Sequence, residues 1–230
     1  MMSRYYSNST SPHSSTQNPC NLKNSIALAA WLLVSVCLSA QDFSSKKPAG
    51  TFSLGTRNTV SMFNEDAAIG KGIGGQFRVR LGNKLNSEWY FDYITSKKGS
   101  LTYRNDYHIG WSLLFYIGDN YYDDRLLQPY FILGHCFDKS VVTAQADKNN
   151  TAGRLSMATQ GGLGTHININ PRFDCSLSGQ YMMHFGKDIE VMEGEDGLVI
   201  QKANFSNADG HLLFTISFNY KLLHLWNSRK

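Results

Sequence analysis

From about residue 50 to residue 222, apolar and polar side chains alternate with a period of two in segment after segment, and no stretch holds a helical period long enough to specify a helix. The cleanest segment lies near the C-terminus. Leu212, Phe214, Ile216, Phe218, Tyr220 and Leu222 fall on one face, and Thr215, Ser217, Asn219 and Lys221 on the other, with Leu213 as the exception. Successive side chains of a strand point to opposite faces, so such a run is a strand with one apolar and one polar surface. The parity recurs in Cys175, Leu177, Tyr181 and Met183 against Asp174, Ser176, Gln180 and His184. It recurs again in Tyr107, Ile109, Trp111, Leu113 and Phe115 against His108, Ser112 and Tyr116, and in Ile73, Phe77 and Val79 against Gln76, Arg78 and Arg80. Trp89, Phe91 and Tyr93 oppose Glu88 and Asp92, and Leu155, Met157, Leu163 and Ile167 oppose Ser156, Gln160 and His166. Segments 51–57 and 129–137 complete the set, the second so uniformly apolar that its phase is unreadable.

That makes about eight strands, mostly of about nine to twelve residues, the length a tilted strand needs to cross a bilayer. Connections alternate in length: 58–71, 97–105, 138–154 and 186–209 are longer, while 82–87, 118–126 and 170–171 are shorter. The polar face separates a membrane barrel from a soluble one, because it carries Arg78, Arg80, Glu88, Asp92, Asp174 and Lys221. Such charges are very costly in a dry core unless paired, and tolerable when turned toward a polar lumen. In lipid every backbone polar group needs a partner within the protein, so strands that cross a bilayer must close on themselves. The expected fold is therefore all-β: an antiparallel up-and-down transmembrane β-barrel over 51–222, preceded by a short periplasmic segment over 41–50 and followed by a tail over 223–230.

Residues 1–40 read differently. They contain none of the 18 acidic residues, and an apolar run over 26–38 lies between Lys23 and Ser39-Ala40-Gln41, the order of a secretory signal peptide cleaved near Ala40. The run is shorter than the ~20 residues of a spanning helix. A lipoprotein signal would acylate Cys37, but Val36 occupies the position that wants a small residue. The polar stretch before Lys23 is long for a signal peptide, and a misplaced start codon and an organelle-type leader both account for it. Two of the 22 basic residues, Arg4 and Lys23, belong to this leader, so the remaining charges nearly cancel and no basic field favours nucleic acid. Cys136 and Cys175 form no Cys-x-x-Cys pair, and strands five and seven are too far apart for a disulfide between them.

Several motifs in order resemble the outer-membrane β-barrel domain family of small Gram-negative proteins: Gln128-Pro129-Tyr130-Phe131-Ile132-Leu133-Gly134, Gln160-Gly161-Gly162-Leu163-Gly164, Asn170-Pro171-Arg172-Phe173, and the terminal Phe218-Asn219-Tyr220-Lys221-Leu222. The likeness spans 50–222. It implies an outer-membrane location and passage through the export and barrel-assembly machinery. Such families end on an aromatic residue of the last strand, whereas this chain continues through His224-Leu225-Trp226 to Lys230. The resemblance implies no single chemistry, since one fold hosts many functions.

Candidate sites are few. Gly70-Lys71-Gly72-Ile73-Gly74-Gly75 lacks the Gly-Lys-Ser/Thr and the helix of a phosphate loop, and reads as strand glycines in a narrow lumen. His108, His166 and His184 fall on the lumen side and read as structural rather than as metal ligands. A lipid-modifying site built from His184, Ser178 and Asp174 fails on spacing, because residues six apart on a strand are about 20 Å apart. No catalytic, cofactor or metal residue is expected. The six charges Arg78, Arg80, Glu88, Asp92, Asp174 and Lys221 are expected to form a lumen network, with Arg78 and Arg80 meeting Glu88 and Asp92 on the next strand and Asp174 near Lys221. Leu212, Phe214, Ile216, Phe218 and Tyr220 are expected to face lipid, with Trp89, Trp111, Tyr107, Tyr116 and Tyr220 as interfacial girdles. The reading is a non-catalytic envelope barrel with outer loops free to bind an extracellular ligand. A narrow channel is the alternative, with a soluble ligand-binding barrel behind it.

Overall fold

The computed structural model describes residues 49–63, 68–98, 101–118, 125–194 and 197–226, so the leader over 1–40 and the proposed cleavage point lie outside the described residues. Eight strands form in chain order: β1 (Thr51–Phe63), β2 (Ile69–Arg80), β3 (Leu85–Lys98), β4 (Thr102–Tyr116), β5 (Leu127–Ala144), β6 (Thr151–Asn168), β7 (Phe173–Gly194) and β8 (Gly197–His224). Each pairs antiparallel with the next, and β8 pairs with β1 to close the barrel. Closure leaves no unpaired edge, which is the backbone condition for lying in lipid.

Parity along each strand sets the two faces. Leu212, Phe214, Ile216 and Phe218 are exposed on the outer surface, while Thr215, Ser217, Asn219 and Lys221 are buried inside. Strand β5, unreadable from sequence, turns Phe131, Leu133 and Phe137 outward and Gln128, Tyr130, Cys136 and Asp138 inward. Leu222 departs from its expected outward face and is buried, because the β1–β8 register shifts between Phe52 and Ser53 and passes the outward parity to Leu223. Tyr116 is also inside, so it leaves the expected girdle. Near the end that carries the termini, Phe52, Phe77, Trp89 and Trp111 form an external aromatic row across β1–β4, with successive centroids 6.1, 6.0 and 6.2 Å apart.

The segments 138–154 and 186–209, read from sequence as long loops, are mostly strand. β5 and β6 have 18 residues each, β7 has 22 and β8 has 28. Nine to eleven residues suffice to cross a ~25 Å apolar band, so β5–β8 extend past it on the side away from the termini. There the faces change character. A bulge at Asp188 buries both Asp188 and Ile189, and Ile189, Ile200, Val142 and Ala144 pack into a small apolar core.

The turns at the end that carries the termini have local causes. Asn170 Oδ1 accepts the N–H groups of Arg172 and Phe173, both at 2.8 Å, which fixes the Asn170-Pro171 turn. Gly50 adopts φ 88° against the carbonyl of Trp226, where a Cβ would collide.

Candidate functional site in the barrel lumen

All six charges expected in the lumen are buried there, but their partners differ from the expected ones. The centre is Arg57, which the sequence reading did not single out. Its Nη1 donates to Glu88 Oε1 and Gln76 Oε1, both at 2.9 Å, and its Nε donates to the two oxygens of Asp92 at 3.0 and 3.1 Å. The guanidinium also lies 4.3 Å from the Tyr90 ring centroid. Gly74 makes this possible, because a Cβ there would collide with Asp92 Oδ1.

Arg78 stands opposite Glu88 in the β2–β3 register, yet it reaches across the lumen. Its Nη2 donates to Asp174 at 2.6 and 2.7 Å, and Asn219 Nδ2 donates to the same carboxylate at 3.0 Å. The Asp174 carboxylate is thus held by Arg78 and Asn219, and Lys221, expected near it, lines the same cavity with its Nζ 3.4 Å from Asn168 Oδ1. Arg80 turns toward the rim, donating to the carbonyls of Asn83 at 2.8 Å and Gly82 at 3.3 Å and lying over the Tyr116 ring. His166 joins this network, with Nδ1 2.7 Å from Ser176 Oγ and Nε2 3.0 Å from the Tyr116 hydroxyl.

An apolar belt lies above these charges, on the side away from the termini. Ile94, Cys136, Ala158, Met182 and Leu213 form one buried cluster contributed by β3, β5, β6, β7 and β8. Each occupies the inward position between two polar layers. Met182 lies between Gln180 and His184, Leu213 between Thr215 and His211, and Ala158 between Gln160 and Ser156. The anomalous apolar residue of the last strand is thus a member of this belt. Cys136 sits in it with Sγ donating to the Phe137 carbonyl, Cys175 lies elsewhere on β7, and both thiols are free.

Beyond the belt lie His108, His184 and His211, on β4, β7 and β8, with one nitrogen of each ring within 4.8 Å of the others. Asp138 of β5 flanks two of them, with Oδ2 3.2 Å from His184 Nδ1 and Oδ1 3.4 Å from His108 Nε2. Ser140 and Ser156 hydroxyls donate to Asp138 Oδ2 at 3.1 and 3.2 Å. Toward the far rim Arg104 binds Asp106 at 3.0 Å and Arg154 binds Asp188 at 2.6 Å. His211 is the residue the sequence reading missed, although it shares the inward parity of Thr215. His166, grouped by sequence with His108 and His184, lies on the other side of the belt. The arrangement of His184, Ser178 and Asp174 is not assembled, since Asp138 flanks His184 and Arg78 holds Asp174.

No family model and no curated protein matches this chain. Among solved structures, Neisserial surface protein A is 13% identical with TM-score 0.55, covering 74% of this chain and 96% of its own. The outer membrane protein OprG from Pseudomonas aeruginosa is 19% identical with TM-score 0.51, covering 77% and 98%. The fold is that of the small outer-membrane barrels. At these identities the likeness concerns architecture, and the side chains inside this outer-membrane-type barrel must be read on their own.

Proposed function

We propose that this chain is a non-catalytic integral protein of a Gram-negative outer membrane, plugged along its lumen and presenting its β5–β8 rim outside the cell. The observation that carries the plugged reading is the belt of Ile94, Cys136, Ala158, Met182 and Leu213 stacked on the Arg57–Glu88–Asp92 network. An ion entering from the terminal end would have to break buried ion pairs and then pass a dry layer. The cavity beside Arg78, Arg80, Asp174 and Lys221 has a volume of about 20 Å³. That is room for about one water.

The outward apolar face, the external aromatic row and the likeness to two envelope proteins support the location. Outer-membrane lipid and the export and barrel-assembly machinery are then the obligatory partners, and an extracellular ligand would meet the long rim. A non-catalytic role is supported by the burial of the hydroxyls nearest the histidines: Ser176 Oγ lies 2.7 Å from His166 Nδ1 and Ser156 Oγ 3.4 Å from His184 Nδ1, but both serines are closed in by packed lumen side chains that leave a substrate no room.

Single-channel recording in planar bilayers tests the plug, with no discrete conductance expected. Steady ion flow through the wild-type protein would favour the narrow channel instead. Retention with outer-membrane fragments after carbonate washing tests the location, and release into the supernatant would favour a soluble barrel.

A further inference from the structure

We propose that His108, His184 and His211 form a binding site for one divalent transition-metal ion, with Asp138 as the carboxylate that orients two of the three imidazoles. The three rings come from three strands and meet in the lumen, each no more than 1% exposed. Four of their six nitrogens, Nδ1 of His108, both on His211 and Nε2 of His184, have no hydrogen-bond partner, while His108 Nε2 faces Asp138 Oδ1 at 3.4 Å. Buried polar atoms are ordinarily paired, so this concentration of unpaired ring nitrogens needs an occupant.

His166 provides the internal contrast. It is equally buried and lies in the same lumen, yet both its nitrogens are engaged by Ser176, Tyr116 and Arg78. Below the belt the imidazole is held through both nitrogens, whereas each of the upper three keeps at least one nitrogen without a hydrogen-bond partner.

The chemistry of the set fits an ion of intermediate softness. Three imidazole nitrogens are the protein ligands of an open zinc site, with Zn–N of about 2.0–2.1 Å and hence N···N separations of about 3.4 Å. From a spread of 4.8 Å, each ring needs to move by only about 1 Å. Asp138 supplies the second requirement of such sites, a carboxylate against the nitrogen of a ligating ring that does not hold the metal. With His184 Nδ1 turned to Asp138, the ring's Nε2 has no hydrogen-bond partner and is left to ligate. The two serine hydroxyls on Asp138 Oδ2 hold the carboxylate for that task. A fourth coordination position remains for water. The belt seals the site from the terminal side, so the ion would arrive from the rim where β5–β8 project.

The test uses the full chain, untagged, folded in detergent and stripped with a chelator, then titrated with Zn(II) by calorimetry and assayed for bound metal. About one equivalent per chain is expected. His108→Ala, His184→Ala and His211→Ala should each weaken binding at least 100-fold, and Asp138→Asn about 10- to 100-fold. His224→Ala, at the opposite end, should match the wild type. Heat-modifiable mobility on gels checks that each variant still closes. If a variant does not close, zinc X-ray absorption on the wild type decides: a nitrogen and oxygen shell supports the site, and a sulfur shell from a thiol overturns it. Absence of zinc uptake by the wild type, or equal uptake by the folded triple-alanine variant, also overturns it. In those cases ordered water fills the cluster.

Discussion

On the side of the belt nearest the termini, Arg57, Arg78, Glu88, Asp92 and Asp174 hold one another at 2.6 to 3.1 Å, and His166 bonds through both ring nitrogens. On the other side, His211 bonds through neither nitrogen, and His108 meets only the Asp138 carboxylate, at 3.4 Å. Both regions are buried, polar and built from inward strand positions, so burial alone does not distinguish them. The difference lies in how completely each region satisfies itself. The lower region already contains its own counter-charges, so it can act as a strut across the lumen. The upper region gathers unpaired ring nitrogens from three strands within 4.8 Å of one another, so it is complete only with something added.

Breaking the lower region should produce the largest effect. Arg57→Met leaves Glu88 and Asp92 buried without their cation, and should lower unfolding stability in detergent or lipid by about 3–5 kcal/mol. Adding Glu88→Gln and Asp92→Asn to the same chain should restore part of that loss. A loss below about 1 kcal/mol for the single change would mean the network is not a strut. Next in size is the outer surface, where Phe214→Lys should cost about 2–4 kcal/mol in lipid because a charge is placed in the apolar band. Refolding into bilayers checks this, and an unchanged free energy would remove Phe214 from the lipid face. Between the two regions, Leu213→Ala should cost about 2–3 kcal/mol, near the lower end for a buried leucine, because the adaptable Met182 can partly fill the space. Urea titration of the closed barrel measures it, and a cost near zero would show the belt to be loosely packed.

How far these regions were legible in the sequence follows from what parity can and cannot encode. Period-two alternation marks the inward and outward residues of a strand without any knowledge of its neighbours, so eight strands and most of both faces could be read directly. Where a register shifts, parity fails: Leu222 follows the β1–β8 irregularity and lies inside. The identity of the partners was hidden for another reason. Arg78 reaches Asp174 across 96 residues of chain, and Arg57 binds Asp92 on a strand that is not its neighbour. Those contacts depend on closure and on how strands stagger around the axis, neither of which an alternation pattern carries. His211 was readable in principle, since it shares parity with Thr215, but it stood at the edge of a segment taken for a loop. That segment and 138–154 looked like loops because their polar composition lacks a lipid-facing stripe. Beyond the membrane, paired strands do not need one.

The smallest effect is expected at His211. In chelator-stripped protein, His211→Leu removes a buried imidazole that makes no hydrogen bond and replaces it with a side chain suited to the adjacent Leu213 and Met182 layer. An unsatisfied buried polar group costs about 1–3 kcal/mol, so its loss offsets the lost packing and the net change should lie within about 1 kcal/mol of zero, or be stabilising. The equivalent change at His166, His166→Leu, removes the imidazole's contacts with Ser176, Tyr116 and Arg78, so it should destabilise. With zinc present the order at His211 reverses. An ion that binds only the folded barrel adds about 2.7 kcal/mol at a concentration 100 times its Kd, and the wild type should gain this while His211→Leu does not. Parallel unfolding curves with and without zinc measure both halves of the prediction. If His211→Leu destabilises the stripped barrel as much as His166→Leu does, the upper histidines are struts like the lower ones, and the two regions differ in composition only.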